Sequence, residues 1–235
     1  MTGRLYLVPN LLGVVAPEDV LPARTMAVAR RLEHFVVENA KPARQFLKTL
    51  GPALPLQQLD IAELGERPTA ERCAELLAPA RRGDDVGLLS DAGCPGVADP
   101  GARLVATAHA LGMRVVPLVG PSSLLLALMA SGMNGQSFAF HGYLPVAAEA
   151  RAAALRRLED ESRSLARAQL FIETPYRNEA MLKSIAEVLK ATTSVCVAAD
   201  LTLATETIER RTAAAWARQD VARFARRPAM FIMEA

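Results

Sequence analysis

Short apolar runs alternate with longer amphipathic stretches along the first half of the chain, a pattern that predicts β–α units and a mainly parallel sheet. Residues 5–8 predict the first strand and residues 34–38 the second, with a weaker strand over 56–61. Thr69 stands where a helix N-cap belongs, Glu71 adds a carboxylate to the first turn, and Gly83 stops a helix that runs to Arg82. Strands are expected over 86–90 and 114–119. Between them Asp99, Pro100 and Gly112 punctuate a helix as N-cap, first residue and left-handed terminator.

The second half repeats the alternation less regularly. A helix over 121–131 ends at Gly132, residues 137–143 alternate like a strand, and 149–165 form an Arg-rich amphipathic helix. Further strands are expected over 169–173, 195–199, 206–210 and 230–234. The fold class is therefore two α/β domains, mainly parallel in the first and mixed in the second. The boundary is placed near Gly120, giving an N-terminal α/β domain over residues 1–119 and a C-terminal α/β domain over 120–235.

Composition narrows the class. Hydrophobic residues make up 51% and aromatic residues only 5%, so the core has to be built from Ala, Leu and Val. A net charge of +2 argues against a protein that coats polyanions. The three cysteines, Cys73, Cys94 and Cys196, are odd in number and form no CxxC pair, which suggests neither a disulfide framework nor a zinc site. No metal is expected. The start has no signal-peptide h-region and the longest apolar run is too short for a bilayer, so the reading is a soluble cytoplasmic protein without a membrane partner.

The chemistry concentrates at two strand ends. Residues 90–101 read Ser-Asp-Ala-Gly-Cys-Pro-Gly-Val-Ala-Asp-Pro-Gly, and residues 119–123 read Val-Gly-Pro-Ser-Ser before a helix. Open α/β sheets bind ligands outside the carboxyl ends of their strands. Gly and Pro there allow sharp turns that expose backbone polar groups. The dinucleotide G-x-G-x-x-G, the P-loop and the G-x-S-x-G elbow are all absent. An ordinary capped turn is the alternative reading for either loop alone.

These two motifs resemble the tetrapyrrole (corrin/porphyrin) methylase superfamily, and within it the branch of ribosomal RNA small subunit 2′-O-methyltransferases. Three further stretches match that branch in order: Phe138 to Pro145, Phe171 to Arg177, and Ala199-Asp200-Leu201-Thr202. The resemblance implies two α/β domains with S-adenosylmethionine, the methyl donor, bound in a cleft between them, a homodimer, and RNA as an acceptor. Carried over position by position, it implies a donor site lined by Pro9, Leu89, Ser90, Asp91, Ala92 and Val97, by Ser122 and Ser123, and by Ile172, Glu173, Ala199 and Leu201. Asp91 and Glu38 are the candidate catalytic bases toward an acceptor hydroxyl. A structural cap (Asp91) and a solvated strand end (Glu38) are the alternatives. Glu173 and Arg177 are expected either to pair or to meet ligand, and His141 to be structural. Cys94 is not expected to be a nucleophile.

Two stretches depart from the branch. Pro9-Asn10-Leu11-Leu12-Gly13 replaces its Ala-Thr-Pro-Ile-Gly-Asn, and Glu38-Asn39-Ala40-Lys41-Pro42-Ala43 replaces its Glu-Asp-Thr-Arg-His-Thr. The chain is also shorter at its C-terminus than that branch. Both departures would border the acceptor, which leaves methylation of a tetrapyrrole or another small molecule, or a catalytically weak donor-binding protein, as the alternatives. The Arg-rich segments 151–167 and 210–227 are the candidate RNA-binding faces, set against ordinary solvated helices.

Overall fold

The computed structural model describes residues 2–235, which form two compact units that divide between Ser122 and Ser123. The first unit runs β1 (Arg4–Val8), α1 (Pro17–Val20), α2 (Ala23–Arg31), β2 (His34–Val37), α3 (Ala40–Leu50), β3 (Asp60–Glu63), α4 (Ala70–Leu76), α5 (Ala78–Arg82), β4 (Val86–Leu89), α6 (Ala102–Ala110) and β5 (Arg114–Pro117). Its five strands are all parallel, in the order β3-β2-β4-β1-β5.

Strands covered on both faces read as continuous apolar runs. In β4, Val-Gly-Leu-Leu is buried at every position. The period of two still sorts the side chains. Phe35, Val37 and Leu89 join Phe46 and Leu47 of α3 in one cluster. Val36 and Leu88 join Leu76 of α4 and Leu104 of α6 in another, on the opposite face.

Three local expectations are corrected. The helix starting at Thr69 does form, and Thr69 Oγ1 accepts from the Arg72 N–H at 3.2 Å, but it breaks at Leu77. Pro79 has no N–H to continue it, so a second short helix starts at Ala78. The stretch expected as a strand over 56–61 begins as a 3-10 turn at Leu56–Gln58 behind Pro55, and pairing starts only at Asp60. Asp99 is not the N-cap of the next helix: α6 begins two residues beyond Pro100, capped by Gly101.

The second unit runs α7 (Ser123–Ser131), β6 (Phe138–Tyr143), α8 (Ala148–Leu165), β7 (Ala168–Glu173), α9 (Asn178–Val188), β8 (Ser194–Ala199), β9 (Thr207–Thr212), α10 (Ala213–Trp216) and β10 (Ala229–Glu234). Its sheet order is β6-β7-β10-β8-β9, with β6 and β7 parallel and the other pairs antiparallel. The middle strand β10 places Phe231 against Phe171 of β7 as stacked rings 5.5 Å apart, both fully buried. Trp216 fills the same core and donates its indole N–H to the Val195 carbonyl at 3.0 Å, as a buried indole must. Among the described residues no helix is long and apolar enough to cross a membrane.

Candidate active site

Strand register places the first set of residues. Val8 of β1 and Val37 of β2 both pair with Leu89 of β4, so Pro9, Glu38 and Ser90 leave the sheet side by side. The side chain of Asn10 ties the ends together, donating from Nδ2 to the carbonyls of Ser90 (2.9 Å) and Asp91 (3.0 Å). Its backbone N–H reaches the Gly93 carbonyl at 2.9 Å. Ser90 is buried, and its hydroxyl serves the carbonyls of Ala92 and Gly93 at 3.2 Å each. Ala92 and Val97 lie exposed on the same loop.

The second loop comes up against the first. A Cβ on Gly120 would stand 2.3 Å from Pro9 Cγ, closer than any real contact, so only glycine lets β1 and β5 end this near each other. Thr25 Oγ1 donates to the Val119 carbonyl at 2.7 Å, and Cys94 Sγ lies 3.5 Å from the Pro121 carbonyl. Burial pushes the Cys94 thiol up, with the Asp99 charge adding to it. A thiol held in its neutral form is a poor nucleophile. Pro9, Leu89, Ser90, Asp91, Ala92 and Val97 thus share one strand edge. Ser122 ends this unit, and Ser123 opens α7 in the next.

Three carboxylates share that edge. Glu38 Oε2 accepts from the Asp91 N–H at 3.3 Å, and Asp91 Oδ2 accepts from Asn39 Nδ2 at 2.5 Å. Burial raises the Glu38 carboxyl above its ordinary range, and the charges of Asp91 and Asp99 push the same way, against the Asp91 N–H. Asn10, Asn39 and Asp99 were not singled out as site residues from the sequence. Asn10 and Asn39 read there only as departures from a motif, and Asp99 as a helix cap.

Asp99 Oδ1 accepts from the N–H groups of Gly96 (2.7 Å) and Gly101 (2.8 Å), while its Oδ2 is buried without a partner among the described residues. Burial raises this carboxyl too, the two N–H bonds opposing and Asp91 assisting. A carboxyl raised in the folded state contributes its stability below the ordinary value and loses it as the pH rises through the raised one. Asp99→Asn keeps the Oδ1 acceptor and removes the titration. Its melting temperature relative to the parent chain should therefore rise between about pH 4 and about pH 8. Parallel melting curves of the two proteins at both pH values would refute this.

The second unit has its own strand edge. Glu173 of β7 and Ala199 of β8 flank Ala229 of β10 in one register. Glu173 is buried; both its oxygens lie 2.6 Å from Arg177 Nη2, and Oε1 also accepts from the Thr174 N–H. Glu173 and Arg177 therefore pair. Asp200 takes a left-handed φ of 52° and is held by Arg227 Nε at 2.7 Å and Thr205 Oγ1 at 2.8 Å. Leu201 is buried beside it, and the Thr202 hydroxyl is buried without a partner among the described residues. Ile172, Glu173, Ala199 and Leu201 thus gather at one edge of this sheet. His141 Nε2 lies 2.6 Å from Gln169 Oε1, a structural contact.

The tetrapyrrole (corrin/porphyrin) methylases match over residues 12–217, and the chain belongs to that family. It is an S-adenosylmethionine-dependent methyltransferase. Among its relatives, the ribosomal RNA small subunit methyltransferase I of Escherichia coli O157:H7 is 33% identical over 206 residues, 88% of this chain and 68% of that protein. The protein of the same name from Xylella fastidiosa is 34% identical over 206 residues, 88% of this chain and 71% of its own. The crystal structure of the methyltransferase CobJ has the same fold, with a TM-score of 0.65 at 19% identity, covering 99% of this chain and 94% of that one.

Proposed function

We propose that this chain methylates a ribose 2′-hydroxyl of small-subunit ribosomal RNA, as a cytoplasmic homodimer. The observation that carries the reading is the pair Glu38 and Asp91 at in-register strand ends, beside two glycine–proline loops. The relatives named for ribosomal RNA supply the acceptor class.

The residues present fit a cationic donor. S-adenosylmethionine carries a sulfonium and an ammonium, and three carboxylates stand at one strand edge, with Asp99 Oδ2 buried and without a partner among the described residues. When bound, the donor supplies a methyl group already activated for displacement. Ser90, Asp91, Ala92 and Val97 would hold it from the first loop, Pro9 and Ser122 from the neighbouring strand ends. Ser123, Ile172, Glu173, Ala199 and Leu201 are the further candidate donor contacts. Glu38 takes the proton of the acceptor hydroxyl. Its raised carboxyl is a better proton acceptor than an ordinary one when ionised. The Asp91 N–H and the Asn39–Asp91 contact hold the two side chains in place. Exposed apolar groups on α7 and β6, Leu125, Met129, Phe138 and Tyr143, support the dimer.

The test is transfer of labelled methyl into purified small-subunit ribosomal RNA, followed by alkaline hydrolysis. A 2′-O-methyl group protects the adjoining phosphodiester, so label should survive in an undegraded dinucleotide. Label lost into mononucleotides, or taken up only by an added tetrapyrrole, would overturn the reading.

Donor binding has a test of its own. Calorimetry should show S-adenosylmethionine binding with a Kd on the order of micromolar, about 8 kcal/mol. Gly120→Ala should weaken it at least tenfold, because the added methyl must displace Pro9 from the loop contact. An unchanged Kd would show that the Pro9–Gly120 approach does not shape the donor site.

A further inference from the structure

We infer that one face of α3 is a track for the RNA phosphate backbone, running away from the acceptor end of the site; this rests on the RNA reading above. Lys41, Arg44 and Lys48 are all exposed. At about 100° per residue they fall within roughly 60° of each other, along about 10 Å of helix axis. The opposite side of the same helix carries the buried Ala43, Phe46, Leu47 and Leu50.

Three observations set this stripe apart. First, among the described residues none of the three cations lies within ion-pair distance of an acid, and α3 has no acidic residue in its first turn. A cation in the first turn opposes the helix dipole, so Lys41 is not there for helix stability. Second, several arginines of the two candidate RNA-facing stretches are neutralised at home. Arg167 pairs with Glu161 at 3.0 Å, Arg211 and Arg223 share Glu209 at 2.9 and 2.7 Å, and Arg227 holds Asp200 at 2.7 Å. Arg151, in the same segment, is buried.

Third, the stripe starts at the chemistry. Asn39, two residues before Lys41, donates to Asp91, and the Ala40 N–H donates to Glu63 Oε1 at 2.7 Å. The nearby acids Glu38 and Glu63 are thus engaged with backbone N–H groups rather than with the stripe. A nucleotide strand whose ribose reached Glu38 would carry its neighbouring phosphates across α3. Contacts of this kind hold any sequence and set register along the strand.

The triple variant Lys41→Gln, Arg44→Gln, Lys48→Gln tests the inference. Its affinity for fluorescently labelled small-subunit ribosomal RNA should fall on the order of tenfold at about 0.1 M salt. The slope of log affinity against log salt should drop by about two, the value for three lost single-strand phosphate contacts. The donor Kd and the melting temperature should not change, since all three side chains are exposed. The charge-conserving triple Lys41→Arg, Arg44→Lys, Lys48→Arg should bind as the parent does, which separates charge from fold. Arg156→Gln with Arg157→Gln on α8 should also leave affinity in place. A glutamine triple with parental affinity and slope overturns the track alone, provided the parent methylates RNA. A parent chain that neither binds nor methylates RNA overturns the track together with the reading beneath it.

Discussion

Glu38→Gln should lower the single-turnover rate of methyl transfer to RNA by about 10²-fold or more, the usual scale for loss of a general base. Glutamine has the same shape and keeps an oxygen to accept the Asp91 N–H, so the strand ends should stay where they are. What goes is the proton acceptor. The donor Kd should be nearly unchanged, which separates this effect from a damaged binding site. The pH profile adds a second readout. A base works only when ionised, and burial places the Glu38 carboxyl above its ordinary range. The rate of the parent enzyme should therefore fall on the acid side at a pH above that of a free glutamate, and Glu38→Gln should flatten that limb. Asp91→Asn should slow transfer and also weaken the donor, because Asp91 lies within the first loop and holds Asn39. Near-parental rates in both variants would remove the base assignment and favour an acceptor that has no proton to lose.

Arg177→Met should destabilise the fold by about 1–3 kcal/mol, the range for leaving a buried acceptor without its partner, because Arg177 itself stays partly exposed and water screens part of the pair. Glu173 is 4% exposed and directs both oxygens at Arg177, keeping only the Thr174 N–H when the cation is gone. A buried carboxylate without its partner is the cost, rather than the loss of attraction itself. It follows that Glu173→Gln added to Arg177→Met should recover much of the loss, because no uncompensated charge remains. Urea unfolding of the two single variants and the double variant gives the coupling directly. If the double variant were as unstable as the sum of the singles, the pair would be dispensable to the strand edge.

The sheets were legible in the sequence because their strands are short, apolar and bounded by Gly, Pro and Asp. Several helices were not. α2 and α3 have no side-chain cap hydrogen bond, and α3 carries Pro42 in its first turn, so punctuation gave no start signal. Only the spacing of Phe46, Leu47 and Leu50 marks the apolar face. Strand order was hidden for another reason. β4 inserts between β1 and β2, and no local pattern encodes a partner 80 residues away. The loop residues of the site stood out by composition, Asp99 among them, whereas Asn10 and Asn39 did not. The importance of those two comes from hydrogen bonds across strand ends, and those exist only once the register is set.

The place of β10 in the middle of its sheet bears on how the protein is made. Every other strand of the second unit precedes it in synthesis, yet β7 and β8 do not touch each other and meet only through β10. Until Ala229 to Glu234 have left the ribosome, the edges of β7 and β8 at Phe171 and Val197 lack their partner strand. The first unit has all its strands by Pro117 and can close while the second is still being translated. The nascent chain thus carries a finished half and an open one, and the open half has two unpaired strand edges of the kind that chaperones shield.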